Sequence, residues 1–428
     1  MCPQRTIHAP FLSVKQLNSF KSPAATQAGD SSNTSIVFPM TVETAPIDPF
    51  KIAIDDSVLV DLKTRLNNTR WPDAQTVVAP NEWTQGTPLS YLQALCTYWV
   101  NNYDWRSREE RLNRFDQFTT TLADLSIHFI HQRSPHPDAT PIILTHGWPG
   151  SIVEFTKVIE PLTDPTKHGG QAEDAFHVVC PSLPGYGFSA KPSTTGYGIE
   201  TIATLWNQLM QRLGYDRYIA QGGDWGSAVT TAIGLQNLGN CYAIHINMPN
   251  AGPTPEAREN PTAGDLRALE GASFYQQWDS GYSKQQSTRP QTVGYGLVDS
   301  PAAQAGWIIE KFWAWSDCDG HPEKALSRDE LLDNIMLYWL PGTGASSARL
   351  YWESFGKAFS ADGKDQVKLP TGCSIFPKEI IATPRSWAEQ RYANIQYWNE
   401  LDRGGHFAAF EQPDLFVEEM RRFKTALS

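Results

Sequence analysis

The 428-residue sequence contains no apolar run near the roughly 18 residues of a membrane-spanning helix, so no transmembrane segment is predicted. Its N-terminus also lacks the apolar stretch of a signal peptide. Basic residues are outnumbered, 35 against 46 acidic residues, and the net charge of −11 disfavours nucleic-acid binding. These absences predict a soluble, cytoplasmic protein without a nucleic-acid partner.

Cysteine is sparse, with six residues scattered singly along the chain: Cys2, Cys96, Cys180, Cys241, Cys318 and Cys373. No CxxC pair occurs, and no cysteine clusters with histidine. The spacing gives neither a disulfide framework nor a zinc site, and it is typical of a reducing compartment. We therefore expect no bound metal ion.

Aromatic residues, in contrast, are abundant, with 15 Trp, 15 Tyr and 19 Phe. Such side chains usually pack in cores, and they also line pockets for apolar ligands. Together with a hydrophobic fraction of 40%, this composition predicts a folded protein with a sizeable core.

Residues 1–45 differ from the rest of the chain in being rich in Ser, Thr, Ala and Pro. This composition predicts a flexible tail. A transit peptide is the weaker alternative, because Arg5 is the sole arginine of this segment and such peptides are usually rich in arginine.

Residues 46–135 show periodic apolar patterns. They predict three helices and then a strand, over residues 55–70, 89–103, 107–118 and 126–130. Either Asp55 or Asp56 is placed to cap the first helix, which carries Leu62 and Leu66 on one face. The helices therefore need a surface against which to bury these side chains.

From residue 136 onward, short apolar runs alternate with helical patterns. Strands are predicted over residues 141–145, 177–181, 218–220, 373–376 and 395–397. Helices are predicted over residues 199–213 and 413–425. The sequence thus predicts an α/β fold with a mostly parallel sheet in two parts, residues 136–254 and 366–428, which a helical lid over residues 255–365 interrupts.

The segment Gly222-Gly-Asp-Trp-Gly226 has the spacing of a nucleophile elbow, between a predicted strand and a helix. Asp224 occupies the nucleophile position. A carboxylate is ionised at neutral pH, so it can attack a saturated carbon directly and form an alkyl ester. Taken alone, the motif could equally be a glycine-rich turn with a capping aspartate.

A histidine and an acid occur where the remaining triad members of an α/β-hydrolase belong, after the nucleophile in the chain. His406 lies in Gly404-Gly-His-Phe407, before the last helix, and would act as the general base. Glu379 follows the penultimate strand pattern and would orient the imidazole. Glu400 and Asp402 lie nearer to the histidine in sequence, but we expect them to be solvated.

The segment His146-Gly-Trp-Pro149 follows an earlier strand and is typical of an oxyanion-hole loop. The backbone amides of Trp148 and Trp225 are the two predicted donors to the oxyanion. We expect His146 itself to pack beneath the site rather than bind a metal ion, because no partner ligands lie near it in the sequence.

These motifs, in this order, resemble the microsomal-type epoxide hydrolases over roughly residues 46–428. The resemblance implies the α/β-hydrolase fold with an N-terminal meander over residues 46–135. It places the chain nearest the soluble fungal members, since the membrane anchor of the animal enzymes is missing here. It implies hydrolysis of an apolar epoxide by water to a vicinal diol, with no organic cofactor and no metal ion. A homodimer formed through the lid is left open.

The family uses two lid tyrosines to hold and protonate the epoxide oxygen. By position they correspond to Tyr282 and Tyr351, with Tyr338 as an alternative for the second. An alkoxide is a poor leaving group, so a phenol that donates a proton is chemically required. Only the resemblance selects this pair among the tyrosines of the region, which include Tyr275 and Tyr295.

Two other functions remain as alternatives. A haloalkane dehalogenase also uses an elbow Asp followed by Trp, but it holds a halide with indole N–H groups and needs no phenols. An inactive hydrolase that only binds ligands is permitted by the fold, yet it predicts loss of a triad residue, and all three are present. The physiological role is open between detoxification, including catabolism of aromatic hydrocarbons, and natural-product biosynthesis.

Overall fold

The computed structural model describes residues 45–79, 82–358 and 365–428. Within them the strands are β1 (Asp48–Phe50), β2 (Gln117–Leu122), β3 (Leu125–Gln132), β4 (Thr140–Thr145), β5 (Phe176–Pro181), β6 (Tyr218–Gly222), β7 (Cys241–Ile246), β8 (Thr371–Ile375) and β9 (Ile395–Glu400). The predicted tail, residues 1–45, lies outside the described residues except for Ala45, as does the suggested targeting signal.

The α-helices of the same residues fall into three groups. Those before the lid are α1 (Asp56–Asn67), α2 (Leu89–Asn101), α3 (Trp105–Leu112), α4 (Ile159–Thr163), α5 (Ile199–Arg212) and α6 (Trp225–Gln236). Those of the lid are α7 (Pro255–Glu259), α8 (Ala263–Phe274), α9 (Gly281–Thr288), α10 (Pro290–Asp299), α11 (Pro301–Trp315), α12 (Arg328–Trp339) and α13 (Gly344–Ala358). The last are α14 (Arg385–Ala388), α15 (Ala408–Glu411) and α16 (Pro413–Ala426).

The strands form one sheet in the order β1-β2-β3-β5-β4-β6-β7-β8-β9. The first three strands and β5 pair antiparallel, and every pair from β5 to β9 is parallel. The mostly parallel sheet predicted from the alternating pattern is confirmed. It is the sheet of the α/β-hydrolase fold, with helices on both faces.

The N-terminal meander begins as the sequence predicts. Asp55 caps α1 by accepting a hydrogen bond from the Ser57 amide at 2.8 Å. Leu62 and Leu66 of this helix are buried, 4% and 5% exposed. The helix therefore covers part of the core with the apolar face that its spacing predicts.

The predicted helix over residues 107–118 is wrong in its second half, because α3 ends at Leu112 and β2 begins at Gln117. The run Phe-Thr-Thr-Thr favours a strand, since β-branched side chains fit a pleated surface. A hairpin with Ala123 and Asp124 at positive φ pairs β2 with β3. This pairing adds an antiparallel edge to the sheet.

The order of the central strands places the site. Strand β4 lies between β5 and β6 in the sheet. The chain therefore runs from β4 to its neighbour on one side, β5, and then crosses to its neighbour on the other side, β6. Thr145 at the end of β4 pairs with Gly222 at the end of β6. At such a switch point the loops after neighbouring strands diverge and leave a crevice for a ligand.

Helices α7 to α13 are inserted between β7 and β8, which pair directly with each other. The sheet therefore continues unbroken beneath the lid. Among the described residues, no helix combines the length and the apolar composition needed to cross a bilayer.

Candidate active site

Asp224 lies in the tight turn between β6 and α6, with φ 50° and ψ −126°. This backbone conformation is rare for a residue with a side chain, and such strain is concentrated at functional turns. A side chain at Gly226 would overlap the carbonyl group of Thr145 in β4. Glycine at position 226 thus allows α6 to pack closely against β4. Asp224 lies in the turn that precedes this helix.

His406 and Glu379 come from the two loops that follow β9 and β8. The imidazole Nδ1 lies 2.5 Å from Glu379 Oε1, and Nε2 lies 3.4 Å from Asp224 Oδ2. All three side chains are nearly buried, with 5%, 7% and 8% exposure for His406, Glu379 and Asp224. The structure therefore brings together the three residues that the sequence proposes as a triad.

The charges of the triad act on its histidine. Burial opposes the charged form of His406, but the attraction of Glu379 and hydrogen bonds with Asp224 and Glu379 outweigh it. The pKa of His406 is therefore held well above its usual value. The Glu379 carboxylate is itself held in place by the Ile380 amide, which donates to Oε1 at 2.8 Å.

The alternative acids lie elsewhere. Glu400 and Asp402 are exposed, and Glu400 accepts a hydrogen bond from the Trp398 indole at 3.2 Å. Glu411, which the sequence does not single out, anchors the histidine loop by accepting from the amides of Asp317 and Phe407 at 2.7 and 3.0 Å. Burial raises the pKa of Glu411 to about 7.

The loop after β4 contacts the nucleophile directly. The Trp148 amide donates to Asp224 Oδ1 at 2.7 Å. The Trp225 amide is the first N–H group of α6. It lies at the positive end of the helix dipole, where backbone N–H groups point away from the helix. The structure thus places the Trp148 amide against the Asp224 carboxyl group, and the Trp225 amide follows Asp224 directly in the chain.

His146 packs beneath this loop, as expected. Its Nε2 accepts from the Leu183 amide at 3.2 Å, so Nδ1 carries the proton and donates to the Gly147 carbonyl at 2.9 Å. Burial lowers the pKa of His146 to about 4. Among residues 45–79, 82–358 and 365–428, no group of three His, Cys, Asp or Glu side chains could hold a metal ion.

A cavity of about 270 Å³ opens between Asp224 and the lid. Tyr282 of α9 and Tyr351 of α13 both line it, with ring centroids 5.7 Å apart. Much of the remaining wall is apolar and includes Met248, Pro249, Phe355, Ile380 and Ile381. The two proposed proton donors therefore share one chamber with the nucleophile.

Both tyrosines are held by aromatic contacts. Tyr282 stacks on Trp148 at 4.8 Å, and Tyr351 meets the ring of Trp225 edge-on at 4.8 Å. Burial raises the pKa of each tyrosine well above its usual value. The phenols are consequently protonated at neutral pH and can donate.

The other candidate tyrosines have different positions. The Tyr338 hydroxyl donates to the Gly150 carbonyl at 2.6 Å and so holds the loop after β4, and Tyr338 is not part of the cavity wall. Tyr295 is 67% exposed. Tyr275 lines the cavity, and its hydroxyl lies 3.2 Å from that of Tyr282.

Lys311 is a site neighbour that sequence reasoning missed. Its ammonium group is 4.8 Å from the centre of the Tyr282 ring and pairs with Asp279 at 2.6 Å and Glu310 at 2.5 Å. The lysine is only 2% exposed. Its place in a helix rich in Trp gives no sequence signal that a charge is buried there.

The chain matches the profiles of two protein families. The profile of the family described as "Epoxide hydrolase N terminus" matches residues 47–155, and the one described as "alpha/beta hydrolase fold" matches residues 140–287. A Stigmatella aurantiaca protein whose name also refers to an epoxide hydrolase is 55% identical over 88% of this chain and 84% of its own length.

An animal relative and a solved structure extend the match. Epoxide hydrolase 1 of Sus scrofa is 37% identical over 90% of each chain. The structure of Aspergillus niger epoxide hydrolase is 32% identical, with a TM-score of 0.79, over 90% of this chain and 97% of that chain. The chain therefore belongs to the microsomal-type epoxide hydrolase family and is an epoxide hydrolase.

Proposed function

We propose that this epoxide hydrolase works in two steps through a covalent ester on Asp224. The observation that carries the proposal is the position of this carboxylate. Its Oδ1 is held by the Trp148 amide, its Oδ2 lies 3.4 Å from His406 Nε2, and the cavity in front of it contains two phenols. Nucleophile, base and acids thus meet at one group.

In the first step, Asp224 attacks one carbon of the epoxide from the face opposite the oxygen. The carbon–oxygen bond of the ring breaks as the ester bond forms. Tyr282 and Tyr351 donate hydrogen bonds to the ring oxygen, and one of them protonates the alkoxide as it develops. Because a buried phenol remains protonated at neutral pH, both are prepared for this role.

In the second step, His406 removes a proton from water, and the water oxygen attacks the ester carbonyl carbon. Glu379 holds the imidazole in the required tautomer and stabilises its positive charge. The amides of Trp148 and Trp225 stabilise the negative oxygen of the tetrahedral intermediate. As the bond between the carbonyl carbon and the alkyl oxygen breaks, His406 returns its proton to that oxygen. The second water proton restores the phenol that protonated the ring oxygen. The diol then leaves, and Asp224 keeps one oxygen from water.

The covalent route is tested by isotope labelling. After many turnovers in ¹⁸O-labelled water, peptide mass spectrometry should find the label in the Asp224 carboxylate. His406→Gln should form the ester without hydrolysing it, so that intact-mass spectrometry detects an adduct. Asp224→Ala is the matched control and should give none. Unlabelled Asp224 after many turnovers would contradict the mechanism.

The cavity supports an apolar epoxide as the substrate. Its volume of about 270 Å³ and its aliphatic and aromatic wall favour a sizeable hydrophobic group. The two roles left open by the sequence predict different substrate ranges, broad for detoxification and narrow for biosynthesis. A panel of styrene-type, aliphatic and terpenoid epoxides, with product chirality recorded, separates them.

The dehalogenase alternative is disfavoured by the two phenols that share the chamber with Asp224, because a leaving halide needs no proton donor of this kind. The indole of Trp315, near Tyr282, also donates to Asp279. The inactive-module alternative is also disfavoured, because the triad side chains are assembled within reach of one another. Halide release from a chloroalkane is the direct test for the first alternative.

A further inference from the structure

A second, smaller cavity lies against Asp224, distinct from the chamber under the lid. Its wall includes both Asp224 and His406, together with Thr145 and Gln221 at the carboxyl ends of β4 and β6. Its volume is about 20 Å³. One water molecule needs about 10–15 Å³ by the same measure, so the cavity is large enough for water and too small for a substrate.

The wall of this cavity carries polar atoms that protein groups leave unsatisfied. Thr145 Oγ1 and Gln221 Oε1 have no hydrogen-bond partner among the described residues, and both residues are only 1% exposed. The amide nitrogen of Gln221 donates to Asn247 Oδ1 at 2.7 Å, which fixes the orientation of its side chain. Buried polar atoms need partners, and water in the cavity would supply them.

Glu154 is a third polar component of the same wall. It lies in a short 3-10 helix, Ile152–Phe155, directly after the loop that holds the nucleophile. A side chain at Gly150 would overlap Glu154 Oε1, so the glycine leaves room for the carboxyl group. The glutamate thus reaches back under the loop into a space that also contacts Asp224 and His406.

The protonation of Glu154 suits a site next to a negative nucleophile. Burial raises its pKa to about 8, with the positive charge of His406 opposing the rise and the charge of Asp224 adding to it. At neutral pH the group is therefore mainly the neutral acid. A neutral carboxyl group can both donate and accept a hydrogen bond, and it does not compete with Asp224 for His406.

We propose that this cavity holds the hydrolytic water and that Glu154 is the positioning residue which binds that water while His406 removes its proton. The proposal rests on the covalent mechanism above. The water oxygen forms a bond to the Asp224 ester carbonyl carbon, and its proton passes to His406 Nε2. The bond between the ester carbonyl carbon and the alkyl oxygen then breaks, and His406 passes the proton to that oxygen of the diol. The second water proton is released as Asp224 returns to its carboxylate, and it restores the phenol that protonated the ring oxygen. Glu154 keeps its own proton throughout.

The test separates the two chemical steps in Glu154→Gln and Glu154→Ala. Stopped-flow fluorescence gives the alkylation rate, and rapid quench gives the rate at which the ester decays. We expect ester hydrolysis to stay within about threefold of the parent in Glu154→Gln, because the amide, like the neutral acid, can both donate and accept a hydrogen bond. Glu154→Ala, which removes the group entirely, should hydrolyse the ester about tenfold more slowly, the typical effect of one well-placed hydrogen bond. Alkylation should change less than about twofold in both.

Glu160→Gln is the matched control, because Glu160 is an exposed carboxylate in the adjoining helix α4. It should leave both rates unchanged. Accumulation of the ester in Glu154→Ala but not in Glu154→Gln, seen by intact mass, would support the proposal. Unchanged hydrolysis in both variants would overturn it, and so would a parallel fall of both steps with a lower melting temperature, since that result indicates a purely structural role.

Failure of the underlying mechanism would look different. In that case His406→Gln would also form no ester, whatever residue occupies position 154. If His406→Gln does accumulate ester while the Glu154 variants hydrolyse at the normal rate, the covalent mechanism stands and only the role of Glu154 is overturned.

Discussion

The two lid tyrosines have unequal surroundings. Tyr282 is held between the indole of Trp148 and the ammonium group of Lys311, and its hydroxyl contacts that of Tyr275. Tyr351 is flanked by the rings of Trp148, Trp225 and Phe355, the last at 5.7 Å. Since each phenol can partly replace the other as donor, we infer a shared role in which neither is fully essential alone.

Removing one phenol should therefore slow ring opening without stopping it. We expect Tyr282→Phe and Tyr351→Phe each to lower the alkylation rate about 10- to 100-fold, and the double variant to lose nearly all activity, because acid catalysis contributes about 10²- to 10⁴-fold. Stopped-flow tryptophan fluorescence measures the rate. Tyr295→Phe, at an exposed position, is the control. Normal alkylation in the double variant would exclude the tyrosines as acids.

The pH dependence of ester hydrolysis tests the role of Glu379. The base must be neutral, so hydrolysis rises with pH through the pKa of His406. Esterification removes the charge of Asp224, which leaves Glu379 as the main group that raises this pKa. We expect Glu379→Gln to move the inflection to lower pH. The plateau rate should fall about a hundredfold or more because the histidine tautomer is lost.

Single-turnover decay of the ester from about pH 5 to pH 9 measures this profile. Glu400→Gln is the control, since Glu400 is exposed at the end of β9. An inflection at the same pH in Glu379→Gln and in the parent enzyme would show that another group holds the histidine.

The sequence identifies some site residues more directly than others. Asp224 and His406 are recognisable from glycine spacing, because the backbone turns that present them tolerate few other residues. The tyrosine pair is identified only by resemblance, since phenols are common in the lid. Glu154 and Lys311 have no local pattern, because their roles depend on which distant residues surround them.

At the scale of single elements, the stability of the fold depends on the close packing of α6 against the sheet. A side chain at Gly226 would meet the main-chain carbonyl of Thr145, which cannot move without disrupting β4. At Gly223, in the same turn, the nearest atom to an added Cβ is Asn247 Oδ1 at 3.9 Å. Alanine substitutions at these two glycines therefore form a matched pair of variants, one with a steric overlap and one without.

We expect Gly226→Ala to lower the free energy of unfolding by about 3 kcal/mol or more, the upper range for overpacking. Gly223→Ala should stay within about 1 kcal/mol of the parent, because the added methyl group meets no close neighbour. Chemical denaturation measures both. Equal stability of the two variants would mean that the helix can shift away from the sheet without loss.

Elements with a long periodic pattern are predicted well, and short ones are not. Helices α1, α5 and α16 are confirmed nearly to their ends because their apolar faces repeat over several turns. Strands β1 and β7 are not predicted from the sequence. The first has three residues, and its pairing depends on β2, which the sequence assigns partly to a helix.

At the scale of the whole molecule, the meander completes the sheet. Strands β1 to β3 cover the outer side of β5, and Arg108 of α3 pairs with buried Asp333 of the lid. A hydrogen bond from Tyr103 to Asp333 at 2.8 Å strengthens this link. The segment therefore supports both the core and the lid.

Two truncations test this arrangement. Deletion through Thr44 should leave an active enzyme, because the sequence of residues 1–44 carries no periodic apolar face that would need burial. Deletion through Pro135 should give an aggregated protein, because it exposes the edge of β5 and the core beneath the meander. Activity assays and size-exclusion chromatography measure the outcomes. An active, monodisperse core without the meander would contradict a structural role.

The nucleophile forms part of the wall of two chambers, a large one facing the lid and a small one facing the sheet. The residues that would shape substrate preference, such as Met248 and Phe355, contribute only to the large chamber. Substitutions in the large chamber can thus alter which epoxide is accepted, and which of its enantiomers. Hydrolysis of the ester on Asp224 stays intact. The same separation allows substrate preference to diverge in evolution without changes to the residues that activate water.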